Sequence, residues 1–87
     1  MRYIFYSSKF KKSLKKMLPF VQKAFLEKEV LFLKDPFHPL LETHKLHGKY
    51  KDFWAFTVTG PYRVMFKFME NKKDIGFINI GDHDIYK

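Results

Sequence analysis

Apolar residues at helical spacing follow a short apolar segment at the start of the chain. Residues 2–6 are mostly apolar and predict a strand. Ser7 or Ser8 can then cap a helix by accepting bonds from its free N–H groups. The apolar positions of this first helix lie three or four residues apart, which is the spacing of one helix face. They are Phe10, Leu14, Met17 and Leu18.

A proline marks the start of a second predicted helix. Pro19 lacks an N–H group, which suits the first turn of a helix and not its interior. We therefore expect a second helix over residues 19–33, packed on the first as a hairpin. Its inward-facing residues are predicted to be Val21, Phe25 and Leu26. Pro36 and Pro39 disfavour helix at the residues before them and end this region.

The apolar period changes to two in the second half of the chain, which is typical of strands. The alternating sets are Trp54, Phe56 and Val58, then Tyr62, Val64, Phe66 and Phe68. Gly60 and Pro61 mark the turn between them, residues 75–80 predict a last strand, and residues 43–46 a shorter one. The sequence thus predicts one α+β domain over residues 1–87. Its order is β-α-α-β-β-β, with a largely antiparallel sheet packed on a two-helix hairpin.

The charge of the chain narrows the classes of partner. The formal net charge is +8 over 87 residues, which favours a polyanionic partner: RNA, DNA, a ribosome, an acidic protein or an anionic membrane surface. A solvated basic surface that aids solubility is the alternative. The sequence contains no cysteine and no apolar run long enough to span a membrane. These features are typical of a cytoplasmic protein without disulfides or thiolate metal sites, and no membrane partner is expected.

Several polar residues are candidates for chemistry. Arg63 faces away from Tyr62 and Val64 in an alternating strand, where its planar donors can bind a phosphate or, alternatively, a surface carboxylate. The histidines, at positions 38, 44, 47 and 83, can transfer protons near neutral pH, but their spacing does not favour a metal site. Lysines interleaved with aromatic residues favour single-stranded RNA. The candidate RNA-binding lysines are Lys45, Lys49 and Lys51, for which ordinary solvation is the alternative.

Five segments in order resemble the RelE/ParE superfamily of toxins from type II toxin–antitoxin systems, with the YafQ/YoeB-like branch as the nearest. The segments are residues 8–14 (SKFKKSL), 44–48 (HKLHG), 53–56 (FWAF), 62–66 (YRVMF) and 78–86 (INIGDHDIY). The resemblance implies a RelE-like fold and ribosome-dependent cleavage of mRNA in the A site, without a metal or cofactor. It also implies a cognate antitoxin and binding to operator DNA only through the antitoxin complex.

The resemblance also implies roles for individual residues. Arg63 and His83 match the catalytic arginine and histidine of the YoeB-like branch, His44 matches a YafQ-like histidine, and Tyr86 corresponds best to the C-terminal aromatic residue. We predict that Arg63 stabilises the phosphate, that His83 is the general acid, and that His44 is the base, with Lys45 as second candidate.

Departures from the family pattern keep other functions open. Residues 57–59 (TVT) replace the basic set of RelE itself, which argues against RelE-type chemistry. The YoeB-like glutamate has no match here, since Glu42 is near its position without aligning to it. The alternatives are a ParE-like toxin that acts on DNA gyrase without nuclease activity, or an inactive module that binds nucleic acid or an antitoxin.

Overall fold

The computed structural model of the chain describes residues 2–86, apart from the side chains at positions 83 and 84. Over these residues it contains two helices, five strands and three short 3-10 turns. The helices and strands are β1 (Ile4–Tyr6), α1 (Ser8–Lys16), α2 (Pro19–Lys34), β2 (His44–Lys45), β3 (Trp54–Thr59), β4 (Tyr62–Phe68) and β5 (Ile75–Gly81). The predicted α+β class and order of elements are confirmed, including the short strand within residues 43–46.

The five strands form one sheet in the order β1-β5-β4-β3-β2. Strand β1 runs parallel to β5, and every other neighbouring pair is antiparallel. The crossover from β1 to its parallel partner leaves room for the helical hairpin, which covers one face of the sheet. None of the described helices is long and apolar enough to cross a membrane.

Helix α1 begins where the sequence predicts. The Ser7 hydroxyl oxygen accepts a bond from the Phe10 N–H at 2.9 Å and donates to the Ile78 carbonyl at 2.7 Å. This side chain therefore caps the helix and attaches it to β5 at the same time.

Helix α2 begins at Pro19 as expected, but one predicted inward residue was wrong. Val21 and Phe25 are buried, whereas Leu26 is 58% exposed. Positions 25 and 26 lie about 100° apart around a helix. The sheet contacts the Phe25 side, so Leu26 turns to solvent.

Phenylalanine rings fill the space between the helices and the sheet. The Phe32 ring lies 5.1 Å from the ring of Phe56, 5.0 Å from that of Phe66 and 5.3 Å from that of Phe77, measured between centroids. All four side chains are fully buried. Large rings in contact supply much buried area per residue, which lets so short a chain form a core without cross-links.

The helix-free face of the sheet is also partly covered. Ala55 pairs with Met65 across β3 and β4 on this face, and both are buried, as is Thr57. The register between β4 and β5 shifts after Met65, so that one residue of β5 has no partner. Such a bulge increases the local twist of the strand.

Candidate functional site

The site is built around the hairpin that joins β3 to β4. Thr59 pairs with Tyr62, which leaves Gly60 and Pro61 as a two-residue turn. Gly60 has a φ of +51°, as the first central residue of a type II′ turn requires, and proline suits the second position. The turn places Arg63 one residue into the paired part of β4.

Arg63 lies on the helix-free face, as its alternation predicts. Its register partners are Thr57 on β3 and Gly81 on β5. The Nη1 atom donates to the Gly60 carbonyl at 2.6 Å and to the Tyr62 carbonyl at 3.1 Å. Both bonds use one nitrogen, so they fix the guanidinium against its own turn while the Nη2 and Nε donors stay free of these two bonds. Such a partly buried, oriented guanidinium is suited to an oxyanion.

The C-terminal 3-10 turn, His83–Tyr86, places the Tyr86 phenol where the charge of Arg63 acts on it. Burial raises the pKa of the Tyr86 phenol, and the positive charge of Arg63 partly offsets this effect. The phenol is therefore neutral at physiological pH and can donate a hydrogen bond. Ile85, also on this turn, is buried and packs over Gly81.

His44 lies on the same face as Arg63, two strands away. It pairs with Ala55, which in turn pairs with Met65. From strand spacing we estimate about 12 Å between the Cα atoms of His44 and Arg63. The exposed ring of His44 places Nδ1 3.1 Å from the Glu42 carbonyl. Because a carbonyl only accepts, Nδ1 is assigned as the protonated nitrogen, and Nε2 of the neutral ring keeps a lone pair that can take a proton.

The three predicted RNA-binding lysines lie on β2 and in and after the 3-10 turn that follows it. Lys45 pairs with Trp54 on the helix-covered face, with its Nζ 6.0 Å from the centroid of the Trp54 ring. It therefore faces away from Arg63, which makes it a poor candidate for a base in the same site. Lys49 and Lys51 are exposed in and after the 3-10 turn that follows β2, and Lys49 Nζ lies 5.2 Å from the centroid of the Tyr50 ring.

The side chain of His83 lies outside the described residues, so its predicted role stays a prediction. Elsewhere, His38 accepts from the Leu40 N–H at 3.1 Å through Nδ1 and caps a 3-10 turn, in agreement with a structural role. Within the described part of the chain, no three histidine, cysteine or acidic side chains are grouped to hold a metal ion.

Some residues of this region carry no signal in the sequence. Ala55 and Thr57 lie between His44 and Arg63 on the helix-free face, and both side chains are buried. Ser13 and Asn79, bonded to each other at 2.8 Å, lie near the same end of the sheet. The strand register places Ala55 and Thr57 between His44 and Arg63, whereas the packing of α1 on β5 brings Ser13 to Asn79.

No protein-family model and no curated protein matches the sequence. Solved structures match over nearly the whole chain. YafQ from E. coli strain BL21(DE3) is 20% identical with a TM-score of 0.74, covering 99% of this chain and 98% of YafQ. The YoeB/ParE toxin from Agrobacterium tumefaciens is 12% identical with a TM-score of 0.78, covering 93% of this chain and 98% of that toxin. The chain has the RelE/YafQ fold.

A toxin–antitoxin complex is also among the similar structures. The toxin–antitoxin complex RelBE2 from Mycobacterium tuberculosis matches at 14% identity with a TM-score of 0.69, covering 93% of this chain and 96% of that chain. The RelE/YafQ fold predicted from the ordered segments is therefore confirmed. At these identities the likeness establishes architecture, and the chemistry has to be argued from the residues of this chain.

Proposed function

We propose that the protein is the toxin of a bacterial toxin–antitoxin pair and that it cleaves mRNA on the ribosome as an endoribonuclease. The observation that carries the proposal is the position of Arg63 within this fold. It is a partly buried arginine on the helix-free face, held by its own turn, and its charge acts on the neutral phenol of Tyr86. A fixed guanidinium with a hydroxyl donor in the same region is suited to stabilising a phosphate that gains negative charge.

The proposed reaction is attack of a ribose 2′-oxygen on the adjacent phosphorus. The new bond joins the 2′-oxygen to phosphorus, and the bond from phosphorus to the 5′-oxygen breaks. A base takes the 2′-hydroxyl proton, and an acid supplies a proton to the 5′-oxygen, so that a cyclic phosphate and a free 5′-hydroxyl result. Every step is a proton transfer or a displacement at phosphorus.

Four residues would divide this work. Arg63 binds the non-bridging phosphate oxygens through its Nη2 and Nε donors, while Tyr86 donates from its neutral phenol. His44 takes the 2′-hydroxyl proton on Nε2, since Nδ1 is held by the Glu42 carbonyl. His83 supplies the proton to the leaving oxygen, a role that rests on the sequence resemblance. A proton-transfer residue of this kind contributes about 10²–10⁴-fold to the rate.

An antitoxin is proposed as the protein partner. The RelBE2 structure is described as a toxin–antitoxin complex, and this chain has features that suit a protein partner. On α2, Leu26, Val30 and Leu33 are each at least 45% exposed and lie at the spacing of one helix face. Exposed apolar stripes of this kind are typical of binding surfaces. The charge of +8 favours an acidic antitoxin.

The test is mRNA cleavage in a reconstituted translation reaction, mapped by primer extension. Wild-type protein is compared with Arg63→Ala, His44→Gln and His83→Gln. The matched control is Lys67→Gln, because Lys67 is an exposed cation on the same strand and the same face as Arg63. We expect discrete cuts with the wild type and the control, and a loss of at least about 10²-fold in each site variant.

The opposite result separates the alternatives. If the wild type leaves mRNA intact but inhibits supercoiling by gyrase, the protein is a ParE-like toxin. If it does neither and still binds its antitoxin, it is an inactive binding module. Cleavage that persists unchanged in Arg63→Ala would remove Arg63 from the site.

A further inference from the structure

A groove of about 440 Å³ lies between α1 and the end of the sheet where β4 begins and β5 ends. Its wall on the helix side is formed by Lys9, Ser13 and Lys16, and its wall on the sheet side includes Tyr62, Asn79 and Gly81. The groove lies outside the set of residues assigned above to the reaction.

The helix side of the groove is a cationic stripe. Positions 9, 13 and 16 are four and three residues apart, so their side chains lie on one face of α1. Lys9 and Lys16 are both exposed. Helix α1 carries five lysines in its nine residues and no acidic residue, so no carboxylate on the same helix neutralises the stripe.

Asn79, on the sheet side of the groove, supplies a neutral donor. The Ser13 hydroxyl donates to Asn79 Oδ1 at 2.8 Å, and the Ile80 N–H donates to the same oxygen at 2.9 Å. These two bonds fix the orientation of the Asn79 amide. With its oxygen engaged twice, the group that Asn79 retains for a ligand is its NH2 donor. Lysine and asparagine side chains are among the groups that commonly bind phosphate oxygens.

The groove lies close to the Arg63 site. It is lined by Tyr62, the residue before Arg63, and by Gly81, the register partner of Arg63. Paired residues on adjacent strands have Cα atoms roughly 5 Å apart. Because the Tyr62 side chain faces away from Arg63, a nucleic-acid strand bound at both places would pass around this end of the sheet.

We propose that this groove binds the phosphodiester backbone of RNA through Lys9 and Lys16, next to the nucleotide held at Arg63. The inference rests on the proposed function, because it assumes RNA at Arg63. Asp82 also lines the groove, at its Gly81 end. The phosphates therefore lie toward the lysines and away from the Asp82 carboxylate.

The experiment measures binding without cleavage. The probe is a single-stranded RNA oligonucleotide with methylated 2′-hydroxyls, which cannot undergo attack by the 2′-oxygen. Its affinity is measured over a series of salt concentrations for the wild type and for the double variant Lys9→Gln/Lys16→Gln. The matched control is Lys23→Gln/Lys34→Gln, which removes the same charge from exposed positions on α2.

We expect the slope of log affinity against log salt to fall by about 1.4 in the groove variant, since each phosphate contact on a single strand contributes about 0.7. The control should keep the wild-type slope. Equal losses in the two double variants would mean that only net charge matters, and that result overturns the proposal. The proposal is also overturned if Lys9 and Lys16 are needed for binding of poly-glutamate and not for binding of RNA.

Two further comparisons distinguish mRNA from ribosomal RNA as the ligand of the groove, and distinguish failure of the groove proposal from failure of the proposed function. If Lys9→Gln/Lys16→Gln loses affinity for the short oligonucleotide, the groove binds the substrate strand. If the variant loses affinity only for ribosomes, the groove binds folded ribosomal RNA. If the wild type cleaves mRNA while Lys9→Gln/Lys16→Gln retains full affinity for both RNAs, the groove assignment fails and the proposed function stands. If the wild type neither binds nor cleaves RNA, both fail.

Discussion

The Cγ2 methyl group of Ile85 lies 2.6 Å from the point that a β-carbon on Gly81 would occupy. Gly81 is the last residue of β5 and pairs with Arg63. The turn that carries Tyr86 therefore rests directly on backbone next to the proposed phosphate-binding arginine. Close packing at this point is possible only because position 81 has no side chain.

Substitution of this glycine should disturb the site as well as the fold. Gly81→Ala forces the C-terminal turn away from the sheet, and we expect a loss of about 1–3 kcal/mol in the free energy of unfolding, together with reduced cleavage. The control is Gly76→Ala on the same strand, where the nearest atom to the new β-carbon is 3.6 Å away. Urea unfolding of both variants checks this; equal stabilities would mean that Ile85 yields without cost.

Ionisation of the Tyr86 phenol is sensitive to the charge of Arg63. Burial raises the phenol pKa and the Arg63 charge lowers it, so Arg63→Ala should raise this pKa further. The measurement is the absorbance of tyrosinate during an alkaline titration, with Tyr86→Phe in each background to isolate the signal. An unchanged Tyr86 titration in Arg63→Ala would show that the two side chains do not interact.

The raised pKa of Tyr86 predicts how the stability of the protein depends on pH. An unfolded tyrosine ionises near pH 10, whereas the folded phenol of Tyr86 holds its proton to higher pH. The contribution of the protonated Tyr86 phenol to the free energy of unfolding is complete below about pH 10. It is lost as the pH rises through the pKa of the folded state. Denaturant unfolding of the wild type and Tyr86→Phe at increasing pH should therefore show a difference that changes only in the alkaline range.

The cap of α1 can be tested with two adjacent serines. Ser7→Ala removes the bond to the Phe10 N–H and the bond to the Ile78 carbonyl, and should cost about 1 kcal/mol. Ser8→Ala, at an exposed position in the first turn, should change stability by no more than about 0.5 kcal/mol. Thermal unfolding of the pair decides which serine is the cap, and a larger loss in Ser8→Ala would contradict the assignment.

The two faces of α2 should respond very differently to truncation. Phe32 contacts three buried rings, so Phe32→Ala should cost about 3–5 kcal/mol. Leu26 is 58% exposed, and Leu26→Ala should leave the stability of the isolated protein within about 0.5 kcal/mol. If Leu26 is part of the surface that binds the antitoxin, Leu26→Ala should weaken antitoxin binding in a pull-down while leaving stability unchanged.

Periodicity predicted the strands well because each buries one face. The alternation in residues 62–68 placed Val64 and Phe66 in the core and Arg63 on the other face, and the register confirms this. Lys45 was harder to place because a strand of two residues, His44–Lys45, contains too little alternation to fix its facing. Its orientation depends on pairing with Trp54, which only the folded sheet specifies.

The sequence pattern did not predict contacts between residues that are distant in sequence or lie on different elements. Nothing in residues 81–86 indicates that Ile85 folds back over Gly81, because that contact depends on the direction of the chain after the last strand. The groove depends likewise on α1 lying beside the end of β5. Local rules specify elements, whereas sites formed between elements depend on how those elements pack.

The parallel pairing of β1 with β5 has a consequence for synthesis. Residues Ile4 and Ile75 are register partners although 71 positions separate them. During translation the first strand and the helical hairpin leave the ribosome long before the strand that completes the sheet. Contacts of such large sequence separation form late and slow folding. The pairing of Arg63 with Gly81, and any activity that depends on it, therefore arises only after β5 has been made.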